Sequence, residues 1–113
     1  MHWTITYYSD AVLKEILAMP AGFLGRYLRY TDRMEVYGPD LGMPHTRAMG
    51  EGLFELRLKA ADGIARVFYC TTVGKQIVIL HWYFKKTDKT PARESATARR
   101  RLKEIKDAHT QRT

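Results

Sequence analysis

At 113 residues the chain has surface enough to bury one hydrophobic core and not two, so residues 1–113 are expected to form a single domain. Its 45% hydrophobic and 27% charged content is that of a folded protein rather than a disordered one, and no apolar run approaches the roughly 20 residues of a membrane span. The net charge of +7 is lopsided, with 9 Lys/Arg against 8 Asp/Glu in residues 1–84 and 10 against 4 in residues 85–113. The C-terminal quarter therefore attracts anionic partners, such as a polyphosphate backbone or an acidic protein.

The first residues, Met1-His2-Trp3-Thr4-Ile5, lack the basic start and apolar stretch of a secretory signal, and a cytoplasmic location is expected. Trp3 to Tyr8 is β-branched and aromatic and reads as a strand. Ser9 and Asp10 are candidate N-caps for a helix whose apolar residues are Ala11, Val12, Ile16, Leu17 and Met19, interrupted at Pro20-Ala21-Gly22. A second helix is predicted over Phe23 to Tyr37, with Phe23, Leu24, Tyr27, Leu28, Thr31 and Met34 on its apolar stripe, ended by Gly38-Pro39.

Asp40 to Gly50 has no clear period and reads as a surface loop. Leu53 to Lys59 alternates, with Phe54, Leu56 and Leu58 on one face and Glu55, Arg57 and Lys59 on the other. Asp62-Gly63 signals a hairpin into a strand over Ile64 to Thr72, which holds the lone cysteine, Cys70, expected to be a buried thiol. Gly74-Lys75 turns the chain into Ile77 to Phe84, an almost continuous apolar run suited to a strand covered on both faces. Thr90-Pro91 opens a third helix with a thin stripe, Ala98, Leu102 and Ile105, frayed from about Ala108. The order predicts an α+β fold: a small antiparallel sheet packed on one face against helices, two N-terminal and one C-terminal.

Three segments carry the informative cations. They are Gly52-Leu53-Phe54-Glu55-Leu56-Arg57, Ala65-Arg66-Val67-Phe68-Tyr69, and Phe84-Lys85-Lys86-Thr87-Asp88-Lys89-Thr90-Pro91. Paired as neighbouring strands, they bring Arg57, Arg66 and Lys86 toward one anionic site. In this order and spacing the motifs resemble the RelE/ParE toxin superfamily of type II toxin–antitoxin systems, in its phage-related HigB-like branch, from about Gly38 to Ile105.

The resemblance implies a RelE-like fold and a ribosome-dependent endoribonuclease that cleaves mRNA, leaving a 2′,3′-cyclic phosphate and a 5′-hydroxyl, and halts translation. It further implies a cognate helix-turn-helix antitoxin, through which the pair reaches operator DNA, and contact with ribosome and mRNA but not membrane. By resemblance Arg66 and Lys86 fall at the scissile phosphate and Arg57 at a phosphate contact or the proton-abstracting position.

RNA carries its own nucleophile, so cleavage requires alignment, charge stabilisation and two proton transfers. Arginine forks onto phosphate oxygens, and crowded lysines lose basicity by mutual repulsion. The chain has no phosphate-binding Gly-rich loop, no zinc-spaced Cys/His cluster and no nucleophile elbow, and His2, His45, His81 and His109 are scattered, so no metal and no cofactor are expected. The bland alternative for Arg57 and Arg66 is cross-strand pairing with Glu55 or other carboxylates.

Lys85 and Lys89 are candidates for flanking RNA backbone, or are a solvated strand end. His81 is the candidate acid, against a buried histidine bonded to backbone. Tyr69, Trp82 and Tyr83 are candidates for stacking on a base, against simple core packing. Arg99, Arg100 and Arg101 are either ribosomal RNA contacts or a solvated face. No tyrosine follows Tyr83, unlike the C-terminal segment of RelE, and the histidine-rich site of another HigB branch is missing. A ParE-like gyrase poison and an inactive binding relic are the rival readings.

Overall fold

The computed structural model describes residues 2–61, 63–85 and 90–111. In chain order the elements are β1 (Thr4–Tyr7), α1 (Asp10–Leu17), α2 (Ala21–Tyr37), β2 (Thr46–Gly50), β3 (Leu53–Ala60), β4 (Gly63–Thr72), β5 (Gln76–Lys85) and α3 (Ala92–Gln111). The strands form one sheet in the order β1-β5-β4-β3-β2.

Ser9 caps α1 as expected, its Oγ accepting from the Val12 amide at 3.2 Å. The apolar stripe of α2 buries Phe23, Tyr27, Thr31 and Met34, whereas Leu28 stays exposed. Gly38 ends α2 with φ +97° and sits against Trp3, whose Nε1 lies 3.4 Å from where a Cβ would stand, so both conformation and space favour glycine.

Four expectations are corrected. The sheet is mixed rather than purely antiparallel, because β1 runs parallel to β5 (Thr4 beside Gln76 through Tyr7 beside Ile79), a pairing made across most of the chain and invisible to local pattern. The segment read as a loop contains β2, with Thr46 opposite Leu56 and Arg47 opposite Glu55. That strand is short and bulged, and what holds its start is tertiary: buried Thr46 donates through its hydroxyl to Asp40 at 3.1 Å and accepts from the Gly42 amide at 3.0 Å. The helices do not share one face. Val12, Ile16, Phe23, Tyr27 and Met34 cover one side of the sheet with Leu56, Leu58, Val67, Tyr69 and Ile79, while Ala98 and Leu102 of α3 cover the other with Leu53, Phe68, Cys70, Val78 and Leu80. Last, α3 continues to Gln111 instead of fraying at Ala108. The two-sided cover agrees with the continuous apolar run of β5.

One irregularity decides what the α3 face carries. Phe68 of β4 pairs with His81, yet the next residue, Tyr69, pairs with Ile79, so Leu80 is an extra residue on β5. Across this bulge Leu80 and His81 both turn toward α3. The Leu80 carbonyl accepts from Arg101 of α3 at 2.7 Å. No helix among the described residues is long and apolar enough to cross a membrane.

Candidate functional site

Alternation along β3 buries Leu56 and Leu58 under α1 and α2, which forces Glu55 and Arg57 onto the opposite face. The antiparallel register then sets Arg57 directly across from Arg66 of β4, and Arg66 across from Tyr83 of β5. Arg47 reaches the same place from β2, being opposite Glu55. Arg57 and Arg66 therefore share one face of the sheet, as the strand pattern required.

Glu55 organises this cluster. Its carboxylate is completely buried; Oε1 accepts from Arg66 at 2.8 Å and lies 3.4 Å from Arg47, and Oε2 accepts from the Thr90 hydroxyl at 3.4 Å. The pairing of Arg66 with Glu55 foreseen as the bland alternative is thus present, and Arg66 is 3% exposed. Arg57 makes no ion pair among the described residues, and its buried Nε has no hydrogen-bond partner among them. Among the described residues, three guanidinium groups stand against one carboxylate, a positive balance. Met43, Arg47, Arg57 and Arg66 line a cleft of about 300 Å³ above it.

Across from Arg66, on β5, the Tyr83 hydroxyl is buried, and burial pushes its phenol above the ordinary pKa against the lowering effect of the nearby Thr90 hydroxyl. Phe68 lies between the rings of Tyr83 and His81, with centroids 5.7 and 6.4 Å away. His81 Nε2 is bonded to Oε1 of Glu94, in the first turn of α3, at 2.9 Å. Its partner is a carboxylate rather than the backbone. Both groups are only partly buried, at 16% and 18% exposure, which leaves the pair reachable from solvent.

The structure separates other predicted site residues from this cluster. Tyr69 is fully buried on the opposite face, where it stacks with Phe54 at 5.4 Å and donates to the Pro39 carbonyl at 2.5 Å, so it is a core residue and not a base platform. Trp82 also packs toward α1 and α2. Arg99 donates to the carbonyls of Met49 and Gly50 at 2.9 and 3.4 Å, and Arg101 to Leu80 while lying 4.7 Å over the Tyr8 ring. Arg100 is exposed. Lys85 ends β5 opposite Ile64, and Lys86 and Lys89 lie outside the described residues.

Residues 14–103, most of the chain, match the family described as phage-derived protein Gp49-like (DUF891). The chain belongs to the Gp49-like family. This is a RelE/HigB-like toxin family, and with the fold it assigns the chain to the RelE superfamily of toxin–antitoxin toxins. Among solved structures, a double arginine-to-alanine variant of the E. coli toxin RelE in the free state superimposes with a TM-score of 0.64 at 11% identity, covering 90% of this chain and 99% of that one. No curated protein sequence matches.

In this Gp49-like toxin the sequence does not mark Arg47 or Glu94 as site residues. Arg47 sits in the segment read as a loop, where no period singles it out, and Glu94 comes to His81 only when α3 packs on the sheet. Tyr83, a stacking candidate, is buried across from Arg66 instead. Chemically, the arrangement offers a cleft whose Arg57 side can grip a phosphate from solvent, a second arginine held from beneath by a carboxylate, and a histidine oriented by another carboxylate.

Proposed function

We propose that this toxin is a ribosome-dependent, metal-independent endoribonuclease that cleaves mRNA and so inhibits translation. The observation that carries the reading is the cross-strand pair of Arg57 and Arg66 in a cleft of about 300 Å³ whose described lining holds cations and no carboxylate. Arginine remains charged at any physiological pH and matches the fork of phosphate oxygens, so it stabilises the extra negative charge of a pentacovalent phosphorane. A binder that acted on gyrase without hydrolysis would not need this constellation.

In the proposed reaction the 2′-oxygen attacks the adjacent phosphorus, the bond from phosphorus to the 5′-oxygen breaks, and the products are a 2′,3′-cyclic phosphate and a 5′-hydroxyl. Arg57 and Arg47 contact the scissile phosphate from the open side. Arg66, fixed by Glu55, supplies positive potential beneath it, and Lys86, next in sequence after β5, is assigned to the same phosphate. His81, turned by the Leu80 bulge and oriented by Glu94, delivers the proton to the 5′-oxygen, and a neutral lysine of the Lys85 to Lys89 segment receives the one from the 2′-hydroxyl. The enzyme works in the cytoplasm, borrows the ribosome to present its substrate, and is neutralised by a helix-turn-helix antitoxin that also binds operator DNA.

Arg57→Ala is the test, since Arg57 carries no buried ion pair among the described residues. Its loss should lower cleavage by about 10²- to 10³-fold, the usual cost of one transition-state donor, and relieve growth arrest. Induction of the wild type should stop translation before replication, with new 5′-hydroxyl ends in mRNA. If replication stops first and broken DNA accumulates, the gyrase reading replaces this one.

A further inference from the structure

A second cleft adjoins the phosphate site. It has a volume of about 280 Å³ and is lined by Tyr30, Pro44, His45, Arg57 and Lys59. Arg57 lines both clefts, so they adjoin at this residue. Because β2 begins at Thr46, opposite Leu56, the edge of β3 past the bond from the Arg57 amide to the His45 carbonyl has no strand beside it at Lys59 among the described residues.

The aromatic wall of this cleft is built, not incidental. The rings of Tyr30 and His45 lie 4.8 Å apart, inclined by 40°. Tyr30 is set by α2, whose neighbouring Tyr27 and Thr31 are buried. His45 is tied at both backbone atoms, its amide donating to Gly42 at 3.0 Å and its carbonyl accepting from the Arg57 amide at 2.8 Å. Both rings remain partly exposed, and Lys59 is exposed on the rim. No carboxylate is among the described residues lining either cleft.

A pair of aromatic rings one step from a phosphate-binding arginine, with a further cation beyond it, has the chemistry of a single-stranded nucleotide site, in which bases stack on aromatic faces and cations track the backbone. We infer that Tyr30 and His45 form a base-stacking subsite for the RNA nucleotide next to the scissile phosphate, with Lys59 holding that nucleotide's outer phosphate. The inference rests on the endoribonuclease reading and adds to it a determinant of where the enzyme cuts. An acidic peptide is the competing occupant, and it is ranked lower because two partly exposed rings beside a phosphate-binding arginine match a base and its backbone more fully than a carboxylate side chain.

The experiment uses purified ribosomes programmed with an mRNA whose codons are randomised, with cleavage positions read by mapping 5′-hydroxyl ends. Tyr30→Leu, His45→Ala and Lys59→Gln are compared with wild type, and thermal melting of each verifies that it is folded. Tyr30→Leu and His45→Ala should each lower cleavage by about tenfold, the order expected when one base–aromatic stack is removed, and flatten the base preference on one side of the cut. Tyr30→Phe, which keeps the ring, should retain the wild-type preference. Unchanged rates and unchanged base preference in Tyr30→Leu and His45→Ala overturn the subsite, as does unchanged cleavage accompanied by failure of the antitoxin to neutralise the variants, which would make the wall a peptide surface. Absence of any cut by the wild type would instead overturn the endoribonuclease reading, and the subsite with it.

Discussion

Glu55 is a buried acid with arginines on two sides, and its removal would take from Arg66, which is 3% exposed, its 2.8 Å countercharge. Breaking a buried pair from one side typically costs about 3 to 5 kcal/mol. Glu55→Gln is expected to lose stability toward the lower end of that range, read as a fall in the urea midpoint, while the pair with Arg47, 45% exposed on the arginine side, contributes little. Arg66→Ala should be destabilising for the same reason, so a loss of toxicity in that variant mixes chemistry with folding. Cys70 offers an independent check on the face beneath α3. Burial pushes its thiol up to about 11, against a lowering by Lys106. At pH 8 the native protein should resist alkylation by iodoacetamide and become reactive only in denaturant; rapid labelling of the folded protein would contradict the burial of this strand.

At the scale of elements, α3 is the informative case. Its apolar stripe is thin, and polar pegs supplement it. Arg99 reaches the carbonyls at the tip of the β2–β3 hairpin, Lys106 reaches that of Glu51 at 3.2 Å, and Arg101 reaches Leu80 at the bulge. The Tyr8 hydroxyl adds a bond to Glu104. Arg101→Gln should leave the partly buried Leu80 carbonyl poorly satisfied and cost about 1 to 3 kcal/mol, with faster amide exchange along α3. Arg100→Gln, at an exposed position, should change stability by about 0.5 kcal/mol or less. Equal destabilisation by both substitutions would refute the peg. Charge count alone could not separate these neighbours, because which of three consecutive arginines turns inward depends on where the sheet lies.

The whole molecule carries a net charge of +7, concentrated toward the C-terminus. Association with ribosomes should therefore weaken as salt rises. With Arg99 and Arg101 bonded to backbone carbonyls, the exposed Arg100 and Lys103 are the better probes of α3 as an RNA-facing surface. Replacing both with Gln should reduce the slope of log affinity against log salt by roughly 0.7 to 0.9 for each phosphate that is no longer neutralised. Ribosome pelleting across a salt series measures this, and an unchanged slope would make the outer face of α3 a solvated surface.

Local pattern was sufficient for much of this protein. The period of α2, the alternation of β3, the Ser9 cap and the thin stripe of α3 are written in neighbouring residues, and the alternation of β3 with the predicted hairpin was enough to put Arg57 and Arg66 on one face. Recognition of the toxin superfamily likewise needed only short motifs in order. Tertiary structure decided the rest. The parallel partner of β1 lies some 70 residues away in sequence, and β2 is a strand because β3 offers it an edge and Thr46 is anchored to Asp40. The bulge that turns His81 toward Glu94 is a mismatch between two strands, which neither strand encodes alone. Arg47 beside Glu55, and the join of two clefts at Arg57, exist only once the loop before β2 has folded onto α2, since both depend on distances between segments that have no local signature.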